Sequence, residues 1–302
     1  MGLTMKNPVR HKNKKRKGDI VLDMIIYTVL VIIAVITIYP FFFTIVRSFN
    51  EGTASSNTYF WPARPTLENY ITFFKDGKWL NGLIISVFRT LIGTVSSVFF
   101  TCIVAYALSF RNLAYRKVYM TLLIISMYFS AGIIPNYVLL KSLHLFDSFW
   151  VYIVPTALNA FFVIVGISFF QEIPSDLFDS ARVDGANDFT IFYKIVLPIS
   201  KAFLATIGLF VGVNHWNSWF DSAFFVQNPN LKTLSSLMME LINKNQAGYL
   251  TAASAAAKAN STVTSFSIQT AAMVISVAPI ICVYPFLQRY FVKGIMIGSV
   301  KG

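Results

Sequence analysis

Six long stretches of mostly apolar residues dominate this sequence and restrict what it can fold into. They cover residues 20–46, 82–109, 118–140, 149–170, 202–222 and 266–292. An α-helix needs about 20 apolar residues to cross the hydrocarbon core of a bilayer. In lipid every backbone polar group must be satisfied internally, which favours helices for stretches of this length. The sequence therefore predicts an all-α fold, a polytopic membrane helix bundle with six transmembrane helices.

The charged residues support this prediction because they cluster between the apolar stretches. Only 13% of the 302 residues are charged, against about 25% in soluble domains. A charge at the bilayer centre costs several kcal/mol, so spans exclude it. Lys and Arg number 25 against 13 Asp and Glu. We attribute this basic excess to membrane topology, and expect lipid rather than nucleic acid as the partner.

The distribution of positive charge predicts the orientation. Lys and Arg without nearby acids precede the first stretch, join the second to the third, and follow the sixth. They are Lys6, Arg10, Lys12, Lys14, Lys15, Arg16, Lys17, Arg111, Arg116, Lys117, Lys293 and Lys301. In the connections 47–81, 141–148 and 223–265 acidic residues accompany the basic ones. The positive-inside rule then places both termini in the cytoplasm.

The predicted organisation is a multi-pass protein of the cytoplasmic (inner) membrane. A basic cytoplasmic N-terminus, residues 1–19, precedes a six-helix transmembrane domain, residues 20–292, which includes the cytoplasmic loop 171–201, and a cytoplasmic tail, residues 293–302. The first apolar run is too long for the core of a signal peptide, and no small-x-small cleavage site ends it. We therefore expect the run to remain as the first span.

One cytoplasmic connection, residues 171–201, is acidic and has the punctuation of two short helices. Ser175 can cap a first helix, and Gly185 can end it. Asn187 or Asp188 can cap a second helix, which would end before Pro198. Two short helices that meet at a glycine on the cytoplasmic face are typical of a docking element for another protein.

The part of this connection from Asp179 to Pro198 resembles the "EAA" loop of importer permeases of the ATP-binding-cassette (ABC) class. That loop runs Glu-Ala-Ala, then Asp-Gly-Ala, then an aromatic residue, then Ile-x-Leu-Pro. The positions that match in type and spacing are Ala181, Asp184, Gly185, Ala186, Phe192, Ile195, Leu197 and Pro198. Asp179 replaces the Glu of the pattern and Ser180 its first Ala. Asp keeps the charge but shortens the reach, so we expect a weaker or rearranged ion pair with the partner.

The resemblance extends to other parts of the chain. Residues 62–70 and 288–294 resemble the carbohydrate-uptake (maltose-type) branch of these permeases. Residues 128–135 and 215–221 resemble the sub-branch that imports polysaccharide fragments. The resemblance implies the type I ABC importer permease fold. It also implies a permease subunit that receives an oligosaccharide or polysaccharide fragment from an extracytoplasmic solute-binding protein.

The resemblance also implies partners and cofactors. The chain has no Gly-x-x-x-x-Gly-Lys-Ser/Thr loop to cradle phosphates, so we expect it to bind no nucleotide and not to be an enzyme. ATP and Mg would bind to two separate ABC ATPase subunits, beside a second homologous permease subunit. Coupling to the ATPases is assigned to Asp179, Ala181, Asp184, Gly185, Ala186, Phe192, Leu197 and Pro198.

Hydrophobic side chains suggest how this loop could be held. We expect Leu177, Phe178 and Ala181 to form one packed face of the first helix. Phe189, Phe192 and Tyr193 can anchor the second part against the bundle. Gly185 permits the tight turn between them.

The predicted substrate pathway involves polar and aromatic residues near the fifth stretch. Asn214, Trp216, Asn217, Trp219 and Asp221 offer ring faces, amides and a carboxylate, the groups that bind sugars. The alternative is an interfacial aromatic belt, where Trp commonly lies. Arg89, inside the second stretch, is either a pathway or pairing residue or a side chain that snorkels to the boundary.

Two other classes of protein would leave different signals in the sequence. A membrane-embedded enzyme would need a cluster of acid–base or metal-binding residues, and none is visible in the sequence. Cys102 and Cys282 lie in apolar runs without metal-ligand or redox spacing, so we interpret them as packing residues. A carrier coupled to protons or ions would need carboxylates within its spans, where Asp221, at a span end, is the nearest candidate.

Overall fold

The structure is a computed structural model that describes residues 17–52, 60–249 and 264–299. Most of the predicted basic N-terminus and the end of the tail lie outside the described residues. Within the described ranges the chain is helical, and the only β pairing there is an isolated bridge between Asn50 and Pro65. The prediction of an all-α fold is confirmed.

The α-helices are numbered in chain order. They are α1 Lys17–Ser48, α2 Glu68–Lys75, α3 Gly77–Ser109, α4 Arg116–Tyr128, α5 Ile133–Ser142, α6 Ala160–Gln171, α7 Ser175–Val183, α8 Asp188–Ile191, α9 Leu197–Ile199, α10 Lys201–Asn217, α11 Phe220–Phe225, α12 Leu234–Tyr249 and α13 Ser265–Ser299. A π-helical turn, Phe192–Val196, joins α8 to α9. Two short 3₁₀ helices, Phe149–Tyr152 and Pro229–Leu231, lie in connections.

Among the described residues, three helices are long and apolar enough to cross a membrane: α1, α3 and α13. Two bent pairs raise the number to five if each is one span. Residues 149–156 and α6 meet at 45°, and residues 188–199 meet α10 at 83°. The predicted third span, 118–140, is divided into α4 and α5 at Gly132, whose φ is +83°. The number six stays a prediction for this reason.

Helix α3 is the centre of the bundle, with α6 and α10 packed along it. Small residues allow the close approach. A Cβ on Gly166 of α6 would come within 2.8 Å of the Ala105 side chain on α3. Because lipid is as apolar as the side chains, helices in membranes associate through such van der Waals packing and through polar contacts. The apolar cluster around Tyr106, Phe170 and Phe203 fills the end of α3 near α7.

The opposite end of α3 carries a second apolar cluster. The rings of Phe73 on α2 and Trp79 on α3 are tilted against each other with centroids 5.6 Å apart, and they pack against Leu234 and Leu237 of α12. Helix α1 lies along α13 and is otherwise exposed. The two ends of the bundle are therefore distinct: residues 175–199 lie at one end of α10, and residues 218–234 lie at the other.

Candidate coupling and pathway sites

The acidic connection folds into two short helices that meet at Gly185, as the sequence predicts. Gly185 has φ +78°, its N–H donates to the carbonyl of Arg182, and the N–H of Ala186 donates to the carbonyl of Ala181. These two bonds form the Schellman motif, which needs a residue at positive φ. Asn187 caps α8 by accepting a hydrogen bond from the Thr190 N–H at 2.8 Å. The expected cap at Ser175 is wrong: Ser175 is the first helical residue, and Pro174 holds the cap position.

One face of this segment packs against the core. Ala181 is 7% exposed, and Phe192 lies with its ring centroid 5.2 Å from that of Tyr106 on α3. Phe178 contacts the Tyr106 and Phe110 rings. Leu177, expected on the same face, is instead exposed. The packed face therefore consists of Phe178 and Ala181 from α7 and Phe192 from the π-helical turn, and it holds the segment on the end of α3.

The other face of the segment is open and combines apolar with acidic groups. Val183 is 88% exposed, and Phe189 and Tyr193 are about two-thirds exposed. The expectation that Phe189 and Tyr193 anchor the loop to the bundle is therefore wrong. Phe189 lies two residues before the buried Ile191, Tyr193 lies one residue after the buried Phe192, and both side chains are exposed. Asp179 and Asp184 are exposed on the same segment.

The charges of the segment are partly paired within it. The Arg182 guanidinium lies 3.2 Å from Asp188 Oδ1 and 3.8 Å from Asp179 Oδ1. Both carboxylates are about 70% exposed, so these ion pairs contribute little to stability. Their carboxylates remain accessible to a partner. The segment thus exposes both carboxylates and large apolar side chains.

Of the remaining predicted coupling residues, Ala186 lies in the turn between α7 and α8, and Leu197 and Pro198 lie at the bend into α10. Ala186 and Leu197 are half-buried against the core cluster, and Pro198 is exposed near the start of α9. Pro is well tolerated there because the first turn of a helix leaves its N–H groups unpaired. After Ile199 the chain bends by 83° and enters α10 without a connecting loop.

At the opposite end of α10, Arg89 is buried and paired. Its guanidinium forms an ion pair with Asp221 Oδ2 and donates to the carbonyl of Ser218 at 2.9 Å. Its Cζ lies 4.6 Å from the centroid of the Tyr152 ring. With 1% of its surface exposed, Arg89 does not snorkel to the boundary. The pairing alternative is the one that the structure supports.

The other predicted pathway residues separate into two groups. Trp216 is buried and donates its indole N–H to the carbonyl of Ser276 on α13 at 2.9 Å. Asn214 and Asn217 are exposed, and Trp219 is half-buried against Phe220. Trp216 therefore holds α10 to α13, while Asn214, Asn217 and Trp219 keep groups available to a ligand.

The sequence analysis did not identify two residues near Arg89. The ring of Tyr152 lies under the guanidinium, and Ser86 Oγ accepts a hydrogen bond from the Leu234 N–H at 2.9 Å. Ser86 lies three positions before Arg89, on the same face of α3. That spacing was a usable signal. Tyr152 gave none, because it lies in a distant 3₁₀ turn.

An all-helical bundle with long apolar helices and a two-helix segment at one end belongs to the class of membrane permease components of transport systems, as the comparison with known proteins shows. No family model matches the chain. Curated relatives give the family. The polygalacturonan/rhamnogalacturonan transport system permease protein YtcP of Bacillus subtilis is 38% identical over 93% of this chain and 98% of its own length. Protein LplC of the same organism is 36% identical over 97% and 99%.

Solved structures agree. A bacterial ABC transporter involved in the import of the acidic polysaccharide alginate matches with a TM-score of 0.83 and 27% identity, over 92% of this chain and 99% of that chain. A second alginate transporter structure, in complex with an alginate-bound periplasmic protein, matches the fold with a TM-score of 0.57 at 15% identity. This chain belongs to the carbohydrate-uptake family of ABC importer permeases. It is accordingly a transmembrane transport component and not an enzyme.

Proposed function

We propose that this chain is one of two homologous permease subunits of an importer that moves an oligosaccharide or polysaccharide fragment across the cytoplasmic membrane. The fragment would arrive on an extracytoplasmic solute-binding protein. Two separate ATPase subunits would bind ATP and Mg and drive transport. Relatives are named for the transport of polygalacturonan and of arabinooligosaccharides, and a matched structure for the import of alginate, which supports a substrate of this chemical class.

The observation that carries the proposal is the open face of α7 and α8. Val183, Phe189 and Tyr193 are large apolar side chains that the described residues leave mostly exposed, and the same segment carries the exposed carboxylates of Asp179, Asp184 and Asp188. Burial of such groups in a protein groove is favourable. Insertion into a lipid surface is not, because anionic headgroups repel the carboxylates. An ATPase groove is the occupant that this face fits, and Asp179, Asp184 and Gly185 are the residues we assign to docking.

The orientation is part of the proposal. Both termini and the segment 171–201 would face the cytoplasm, and segments 47–81 and 223–265 would face outward, toward the solute-binding protein. Labelling of single cysteines tests this. Labels at Asp188 and at Lys244 should react from opposite sides of the membrane, and reaction of both from the same side would reject the topology.

The sugar pathway is proposed for Asn214, Asn217 and Trp219. Their amide groups and indole ring are accessible at the end of α10 away from the ATPase face. Amides bind hydroxyl groups, and ring faces pack on the C–H faces of sugars. Trp216 and Arg89 are less suited to direct contact with sugar because the protein itself occupies their polar groups.

A charge placed on the open face tests ATPase docking. Val183→Asp adds a carboxylate where a partner groove should be apolar, and it removes no contact of the core. We expect the complex to lose its ATPase subunits on affinity purification, while the level in the membrane is unchanged. Tyr115→Asp is the matched control: Tyr115 is 78% exposed in another connection, and its φ of 57° is one that Asp tolerates. Loss of ATPase subunits in the control, or retention in Val183→Asp, would contradict the proposal.

A further inference from the structure

The segment 218–234, between α10 and α12, is held by polar contacts that come from distant parts of the chain. Arg89 of α3 binds its first residue, Ser218, and pairs with Asp221. Ser86, three positions earlier on α3, accepts from the N–H of Leu234 at the segment's end. Both ends of the segment are therefore fixed to the same face of one long helix.

The middle of the segment is fixed as well. Asp147 Oδ1 accepts the N–H groups of Gln227 and Asn228 at 2.8 and 2.7 Å. The Tyr152 hydroxyl donates to the carbonyl of Leu231 at 2.7 Å, and its ring lies under Arg89. Within the segment, Ser222 Oγ accepts from the Thr233 N–H at 3.0 Å. A connection held at both ends and in its middle moves with the helices that hold it, because its hydrogen bonds to them oppose local opening.

Along the chain, the loop 188–199 leads into α10, and α10 leads into segment 218–234. Helix α10 has 17 residues, which corresponds to about 25 Å between its ends. Displacement of the loop at one end would therefore be transmitted along α10 to Ser218 at the other. Arg89 joins this end of α10 to α3 through its hydrogen bond to Ser218. Among the side chains whose burial the structure describes, it is the only Lys, Arg, Asp or Glu that is 98% or more buried.

We propose that Arg89 is a positioning residue. Its ion pair with Asp221 makes segment 218–234 move as one body with α3 and α10. Movement of residues 188–199, at the ATPase end of α10, then reaches the face that receives the solute-binding protein. The inference rests on the proposed function. It assigns Arg89 a role in communication between the two ends of the subunit, with no contact to substrate. A charge pair with little access to water suits this role because its geometry is fixed and loss of one partner leaves the other unpaired.

The test uses the complete importer in nanodiscs, with its ATPase subunits, second permease and solute-binding protein. For Arg89→Met, we expect ATPase subunits to remain bound and basal hydrolysis to continue. Stimulation of hydrolysis by the solute-binding protein should fall by roughly tenfold or more. The charge exchange Arg89→Asp with Asp221→Arg should restore part of the stimulation. Lys117→Met is the control. It removes an exposed cation at the start of α4, beyond the end of α3 that is far from segment 218–234, and it should behave as wild type.

A distance measurement separates positioning from simple stability. Spin labels replace Gln227 in the segment and Val87 on α3, both exposed, after Cys102→Ala and Cys282→Ser remove the native thiols. The distance distribution should be narrow in the parent and broad in Arg89→Met. Equal widths, or stimulation equal to wild type, would overturn the inference. Loss of ATPase subunits from Arg89→Met would also overturn it, by showing general collapse.

These outcomes are distinct from failure of the proposed function. If the parent complex shows no stimulation by its solute-binding protein, the proposed function fails. If the parent is stimulated and Arg89→Met is stimulated equally, only the positioning role fails.

Discussion

Gly93 on α3 lies directly against the imidazole of His215 on α10. A Cβ added to Gly93 would come within 2.5 Å of His215 Cε1 and within 2.6 Å of Nε2. His215 is buried, so its ring has little space into which it could move. The glycine therefore sets how closely the two central helices approach, and this contact lies one turn along α3 from Arg89.

The first prediction concerns this contact. Gly93→Ala should destabilise the subunit by about 1–3 kcal/mol, because an added methyl in a close-packed interior forces neighbours apart. Thermal unfolding of the purified subunit complex in detergent measures the change. Gly208→Ala on α10 is the control, since its Cβ would meet only a Val98 methyl, at 3.9 Å. Equal melting temperatures for the two variants would show that the α3–α10 contact is looser than described.

The second prediction concerns Gly185. Gly185→Val should distort the turn between α7 and α8 at a cost of about 1–2 kcal/mol or more, because a β-branched residue resists φ +78°. The variant should insert normally, lose copurifying ATPase and lose uptake. Gly185→Asn should keep all three, because Asn accepts this conformation at helix ends. A Val variant with normal ATPase binding would remove the turn from the coupling mechanism.

The third prediction reverses a charge on the open face. Asp179 is 71% exposed and only weakly paired with Arg182, so Asp179→Lys should leave the stability of the isolated chain unchanged. In the complex the same change should weaken ATPase binding by several kcal/mol, as reversal of a partly desolvated contact does. Glu172→Lys, at the end of α6, is the control. Titration of ATPase subunits onto the reconstituted permeases gives both affinities, and equal affinities would refute the assignment.

The fourth prediction separates packing from sugar contact at the end of α10. Trp216→Phe removes one hydrogen bond to Ser276, which should cost about 1 kcal/mol of stability without change in the sugars that are transported. Asn217→Ala should leave stability unchanged and reduce uptake, because its exposed amide is available to substrate. Melting temperatures and uptake rates measured side by side test the pair. The reverse result would return Trp216 to the pathway and remove Asn217.

Local signals in the sequence were sufficient for the all-helical fold and for the break between two short helices at Gly185. Long apolar runs predict helices because lipid leaves the backbone few alternatives. Gly185 predicts a break because the αL conformation is a local property of that residue. The division of the third apolar stretch at Gly132 follows from the same property, although its consequence for the number of spans depends on tertiary structure.

Contacts between distant residues were beyond the sequence. Nothing near Arg89 indicates that Asp221, 132 residues later, is its partner. Trp216 and Asn217 are adjacent and equally plausible sugar ligands, yet one is buried and the other exposed. Helical spacing could have helped with His215, since Phe203, Ile207 and Val211 precede it at intervals of four on the buried face. Which side of a helix is buried is decided by neighbours that a single sequence does not identify.

Uptake into proteoliposomes tests the central claim most directly. Vesicles containing this chain, its second permease and the ATPase subunits are loaded with ATP and Mg, and labelled oligosaccharide is supplied with the solute-binding protein outside. The account predicts accumulation that requires ATP, the solute-binding protein and an intact Gly185 turn. Accumulation by this chain alone, driven by a proton gradient without ATP, would contradict it and support a carrier instead.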